Sequence, residues 1–233
     1  LYSTAIRAVE LFPCIFVEKP VAQSSREAAE LLARAESRGV VHQAGYISRF
    51  DPTVAELRKR LGGLKPYALR FRRLSRRPPH MLRHPVTLDL TTHDVDLASY
   101  LLKPRSVEVL YSVLAVGWGA PQRVVANLSY DGVDVLIETD GLLPVKVREV
   151  DVLGEEGFAR ADLVSGIILL RGGSGTTRIE IGNEEPLKKE LETFLRRCRG
   201  EDLEAPDLRD AVATLRTIEE LSSRAGRIPC GVR

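Results

Sequence analysis

Between residues 106 and 181 the sequence alternates short apolar-rich runs with turns of glycine and aspartate, a pattern that few folds accommodate. Runs at 106–116, 123–130, 134–139, 146–153, 158–163, 167–170 and 176–181 have the length and β-branched content of strands. Asp131-Gly132, Asp140-Gly141 and Gly172-Gly173 stand between them, dipeptides that suit the tight turns of antiparallel meanders. The reading is one large, mostly antiparallel open sheet, preceded by a further strand at 67–74. Alternation along 123–130 sends Val125 and Leu128 to opposite faces, so apolar side chains are expected on both. Two helices, 185–198 after Asn183 and 208–225 after Asp207, close the chain and cover one face of the sheet. Asp207 with Asp210 three residues on is a helix-starting pair, and Gly226 is a stop.

The opening residues follow a different rule. A helix over 3–12 ends at Pro13, and 14–17 is a continuous apolar run cut off by Glu18, Lys19 and Pro20. Ser24, with Glu27 three residues later, opens a second helix that stops at Gly39, and 40–46 is the next apolar run. Strand, helix and strand within about thirty residues define a βαβ unit with parallel strands. Ligands bind outside the carboxyl ends of such strands, here Glu18–Pro20 and 45–50. Asp51 and Pro52 then cap and start another helix. The expected fold is therefore α/β followed by α+β. Residues 1–50 are the remnant of a doubly wound parallel sheet, and residues 51–233 form a separate domain with the large sheet.

Composition excludes more than it identifies. Of 233 residues 44% are hydrophobic, enough for a sizeable core, and the net charge of +2 across 34 basic and 32 acidic side chains gives no reason to expect a nucleic-acid partner. Cys14, Cys198 and Cys230 form neither a C-x-x-C pair nor an even set, so no zinc site or disulfide framework is expected and a reducing cytoplasm fits best. No apolar run reaches the roughly 18 residues of a membrane span. Leu1 stands in what reads as the middle of a helix and the sole methionine is Met81, so the natural N-terminus is expected to lie elsewhere.

Chemistry concentrates in LDLTTHDVDLASYLL, residues 88–102. Asp89 and His93 are four apart, which on an α-helix puts both on one face, while Val95, Ala98, Leu101 and Leu102 form a buried stripe. A carboxylate one turn from an imidazole can orient it and raise its basicity, giving a proton-transfer unit; Asp89 could equally serve the helix N-terminus alone. At the end of the first strand, Lys19 is aimed from an edge stiffened by Pro20 and could polarise a ligand oxygen, or be an ordinary solvated lysine. Arg70, Arg72, Arg73, Arg76 and Arg77 could bind an anionic substrate, but alternation along a strand splits such a run between two faces, as in an ion-paired edge.

FVEKPVA at 16–22, GYISRFDP at 45–52 and LDLTTHDVDLASYLL, in this order and spacing, resemble the signature of the glucose-fructose oxidoreductase, inositol dehydrogenase and rhizopine-catabolism (Gfo/Idh/MocA) family. The resemblance implies an oxidoreductase that uses NAD or NADP to act on a sugar, polyol or related small carbonyl compound. It makes Lys19, Asp89 and His93 the catalytic residues and Glu18, Lys19 and Pro20 the cofactor contacts. Arg49 and Tyr46 would bind substrate. It implies no metal, nucleic-acid or membrane partner, and a homo-oligomer joined through the open sheet face. The family's G-x-G-x-x-G loop has no counterpart before Pro20. Residues 1–233 alone are therefore expected neither to bind a dinucleotide tightly nor to turn over substrate. The rival readings are a non-catalytic relative acting as a binding or oligomerisation module, and a polyanion-binding protein using the arginine run.

Overall fold

A computed structural model of the chain describes residues 1–173, 175–182 and 184–231. Helix α1 (Tyr2–Leu11) leads into strand β1 (Cys14–Glu18), helix α2 (Ser25–Ser37) and strand β2 (Val41–Gly45). β1 and β2 pair in parallel from Cys14↔Val41 to Glu18↔Gly45, the expected βαβ unit. Ser24 accepts a hydrogen bond from the Glu27 amide, while the Glu27 carboxylate accepts from the amide of Gln23, one residue earlier than a capping box would have it. A 3-10 turn (Ile47–Phe50) follows, and Asp51 caps helix α3 (Pro52–Leu64) as its sequence demands.

The large sheet has nine strands: β3 (Pro66–Leu74), β4 (Val107–Gly117), β5 (Ala120–Tyr130), β6 (Val133–Asp140), β7 (Val147–Gly154), β8 (Gly157–Asp162), β9 (Ile167–Gly172), β10 (Gly175–Glu180) and β11 (Gly226–Pro229). Its order is β10-β9-β8-β7-β3-β6-β5-β4-β11. The meander read from the turns is interrupted in one place. β3 inserts between β6 and β7, parallel to the first and antiparallel to the second, and β11 adds a parallel edge to β4. Pairing across this distance in sequence leaves no local trace, and β11, at only Gly226–Pro229, is too short to read as a strand. The closing helices are α5 (Pro186–Cys198) and α6 (Leu208–Arg224); the latter has the full Asp207–Asp210 capping box, whereas Asn183 lies outside the described residues.

Burial along the strands alternates as the pleat requires. Leu69 and Phe71 of β3, Val124, Ala126 and Leu128 of β5, and Val135 and Ile137 of β6 point to one face, where they pack with Val54 and Leu57 of α3, with Val95 and Ala98, and with Ile218 and Leu221 of α6. The opposite face mixes half-buried Val113, Val125, Leu136 and Leu169 with ion pairs such as Arg72–Glu149 at 2.8 Å and Arg160–Asp151 at 2.7 Å. The arginine run is split as alternation requires: Arg72 is on this outer face and Arg73 on the inner one. α6 also packs Leu208, Ala211, Val212 and Leu215 against the βαβ unit, so one helix serves both sheets.

Between them lies the segment 87–102, which is two helices rather than one. Thr87–Thr91 forms a π-helical turn, marked by the Thr92 amide bonding back to the Thr87 carbonyl, and α4 runs from Thr92 to Leu102. Asp96 of α4 is fully buried and takes a bidentate hydrogen bond from Arg49 of the 3-10 turn, at 2.6 and 2.9 Å. Removing one member of a buried pair strands the other charge. Asp96→Ala is therefore expected to lower stability by about 3–5 kcal/mol, read from a urea midpoint, and a loss below about 1 kcal/mol would contradict this role for the pair.

Candidate active site

The site forms where β1 ends against the π-turn. Lys19 is the first residue after β1, and its peptide to Pro20 is cis. Its ammonium donates to the Asp89 carbonyl at 2.6 Å and to the Asp89 carboxylate at 3.0 Å. The other carboxylate oxygen of Asp89 lies 3.7 Å from a guanidinium nitrogen of Arg77. Arg77 is itself held by the His84 carbonyl at 3.0 Å and by Gln122 at 2.5 Å. Gly141 makes room for it, since a Cβ there would stand 2.5 Å from Arg77 Nε. Pro20, Gln23, Met81, His84, Pro85, Leu88 and Asp89 line a cavity of about 300 Å³ beside this cluster.

His93 sits one turn further along, buried at 8% exposure, with Nδ1 lacking a hydrogen-bond partner among the described residues. Burial lowers its pKa well below the ordinary histidine value, and the charges of Arg73, Lys19 and Arg148 push in the same direction. The imidazole is thus neutral at pH 7. Arg73 is committed to Asp94, the next residue, through contacts of 2.8 to 3.1 Å. The charge of Lys19 thus reaches His93, while the cavity beside Asp89 is lined by neither side chain.

One expectation is corrected. Asp89 does not hydrogen-bond His93: the π-turn rotates it away from the position an uninterrupted α-helix would give, and its carboxylate is taken by Lys19 and Arg77. Arg49 and Tyr46 stand apart from the cavity beside Asp89, and Arg49 lines a separate one of about 610 Å³. Arg49 is engaged by Asp96 and Asp210 and lies 5.1 Å from the centre of the Tyr100 ring, while Tyr46, 2% exposed, packs in the apolar core with Leu208 and Ala211. Glu18 is exposed, and Gly45 lies against it with no room for a Cβ, which would fall 2.7 Å from a Glu18 carboxylate oxygen. Sequence reasoning missed Arg77 as the second cation on Asp89, because nothing local distinguishes it within the arginine run. It missed Arg148 altogether, since a single arginine at a strand start carries no motif.

No family model matches the chain. Over 104 residues it is 35% identical to scyllo-inositol 2-dehydrogenase (NAD(+)) of Bacillus subtilis, an alignment spanning 42% of this chain and 30% of that protein. It is 25% identical over 190 residues to the UDP-N-acetylglucosamine 3-dehydrogenase of Acidithiobacillus ferrooxidans, spanning 77% of this chain and 60% of that one. A solved structure of the latter superposes with a TM-score of 0.87 over 96% of this chain and 74% of its own, at 20% identity. KijD10, a 3-ketoreductase from Actinomadura kijaniata solved with NADP and TDP-benzene, superposes with a TM-score of 0.86 at 14% identity, covering 98% of this chain and 76% of that one. These relatives and structural neighbours are Gfo/Idh/MocA-type oxidoreductases. The chain spans 30% and 60% of the length of the two curated relatives.

A second ionisable group lies deeper. Glu190 of α5 is 1% exposed, and one carboxylate oxygen has no partner among the described residues. Burial, with the negative charges of Glu18 and Asp96 adding to it, pushes its pKa up to about 8. A raised carboxylate pKa gives the native state more protons than the unfolded state between the ordinary value of 4.5 and about 8. Stability is therefore lost as pH rises through that window. Glu190→Gln is expected to flatten the decline between pH 5 and 9 and to raise stability at pH 9 by on the order of 2 kcal/mol or more; an unchanged pH profile would contradict it.

Proposed function

We propose that the chain carries the substrate-side machinery of an NAD(P)-dependent dehydrogenase acting on a sugar, polyol or related carbonyl compound. The observation that carries this reading is Lys19 bound to Asp89 beside the cavity, with a buried His93 one turn further on that feels the charge of Lys19. The names of the relatives, an inositol dehydrogenase using NAD(+) and a dehydrogenase of UDP-N-acetylglucosamine, support the substrate class. We further propose that residues 1–50 are the C-terminal part of a dinucleotide-binding domain and that residues 51–233 serve substrate binding and oligomerisation, copies meeting through the open sheet face.

Glu18, Lys19 and Pro20 suit the nicotinamide end of a dinucleotide, because they end a parallel strand where doubly wound sheets hold ligands, and Pro20 shares its cavity with Asp89. The cofactor, when bound, supplies the hydride acceptor or donor at the reacting carbon. The proton belongs to the chain. His93, kept neutral by burial and by the cations around it, accepts the hydroxyl proton in oxidation and returns it in reduction. Lys19 donates a hydrogen bond to the same oxygen as it becomes negative. Asp89 fixes the Lys19 ammonium, and Arg77 fixes Asp89.

The non-catalytic alternative gives no reason to bury an imidazole with an unpartnered nitrogen among several cations, a costly arrangement in a structural core. The test is kinetic: the protein with its complete dinucleotide-binding domain is assayed at 340 nm with NAD or NADP against inositols, neutral sugars and nucleotide sugars. Lys19→Ala and His93→Asn are each expected to lower kcat/KM by about 10²- to 10⁴-fold, with thermal melting unchanged or raised. Turnover indifferent to both substitutions would overturn the reading.

A further inference from the structure

Of the cations whose charge bears on His93, two are neutralised and one is not. Lys19 is paired with Asp89 and Arg73 with Asp94. Arg148 has no carboxylate within ion-pair distance among the described residues. Its position is fixed by the sheet: Arg73 of β3 and Arg148 of β7 are directly opposed, so both side chains leave the same face. That is the inner face, at the end of the sheet where the π-turn and α4 begin. Two like charges set side by side repel, and Asp94, the carboxylate that could offset them, is already filled by Arg73. Asp51, whose charge also reaches Arg148, is engaged in capping α3.

The site as a whole repeats the imbalance. Lys19, Arg73, Arg77 and Arg148 stand against Asp89 and Asp94, and the imidazole between them is neutral. Arg76 and Arg83, both exposed on the segment between β3 and the π-turn, are likewise without an ion pair among the described residues. A neutral polyol gains nothing from this excess, whereas an anion is drawn in and held. Arginine presents a planar fork that meets a carboxylate or phosphate through two parallel hydrogen bonds.

Taking the dehydrogenase reading as the starting point, we propose that Arg148 is a substrate-binding residue that takes the carboxylate or phosphate of an anionic sugar whose reacting hydroxyl lies between His93 and Lys19. The substrate class is thereby narrowed from polyols in general to sugar acids or phosphorylated sugars. Arg148 sets affinity and orientation and takes no proton.

The test is calorimetric titration of the protein at low salt with D-glucuronate, glucose 6-phosphate, D-glucose and inorganic phosphate. At least one of the anionic sugars is expected to bind about 10- to 100-fold more tightly than glucose, the worth of one charge-assisted contact, and the better of the two tells carboxylate from phosphate. Arg148→Gln should abolish the difference without changing the melting temperature, and Arg148→Lys should keep part of it. Equal binding of charged and neutral sugars, or an Arg148→Gln variant that binds as the wild type does, would overturn the proposal. So would inorganic phosphate binding as tightly as glucose 6-phosphate, which marks an adventitious ion only. The two readings fail separately. Anionic-sugar binding lost in Arg148→Gln, in a protein without NAD(P)-linked turnover, removes the dehydrogenase and keeps the anion position; NAD(P)-linked turnover with charged and neutral sugars bound equally, in wild type and Arg148→Gln alike, does the reverse.

Discussion

Three carboxylates on one short segment are each neutralised by a cation from a different part of the chain, and the arrangement of everything else depends on this. Asp89 of the π-turn is met by Lys19 from the end of β1, Asp94 by Arg73 from β3, and Asp96 by Arg49 from the turn after β2. The pairs of Asp94 and Asp96 lie in the interior, where a charge without its partner is expensive. Burial raises the pKa of both, that of Asp96 to about 6, so neither pair is a simple gain in stability. What the pairs supply is position. A helix that could slide or rotate against an apolar face is pinned to both sheets at once, and only one placement satisfies all three cations.

The site is a consequence of that pinning. His93 lies between Asp89 and Asp94 in sequence, so fixing those two carboxylates fixes the imidazole between them. The cations that neutralise them are also those whose charge keeps the imidazole deprotonated. The π-turn is what makes Asp89 available to Lys19 rather than to His93. Wider turns of this kind are uncommon and are often found at functional sites. The junction with α4 is tied down: Thr91 of the turn bonds Thr139 of β6 at 3.2 Å, and Thr92, the first residue of α4, bonds the Leu88 carbonyl at 3.2 Å.

What could be read from the sequence was what local chemistry decides. Ser24, Asp51 and Asp207 mark helix starts because a capping side chain acts within three residues of itself. Strand existence was legible in the large sheet because the pleat writes a period of two into burial, as Val124, Ala126 and Leu128 illustrate. The placement of β3 between β6 and β7 was not legible, since it is decided by pairing across about seventy residues. Within the candidate site, Lys19, Asp89 and His93 were singled out through three motifs taken together. The bonding among them was misread, because a π-turn and an α-turn leave the same spacing in the sequence and differ only in which carbonyl the next amide reaches. The partners of Arg49 were not legible for a related reason: an arginine beside a strand end looks the same whether it is free to meet a ligand or, as here, held by two aspartates.

The central claim is that Lys19 and a neutral His93 occupy one electrostatic environment, and titration of His93 tests it most directly. Carbon-13 labelling of histidine Cε1 allows the pKa of His93 to be followed by NMR in the wild type and in Lys19→Met, with His93→Asn assigning the resonance. The account predicts a wild-type pKa well below the ordinary 6.5, rising when the lysine charge is removed. A value near 6.5 that does not respond to loss of Lys19 would contradict it.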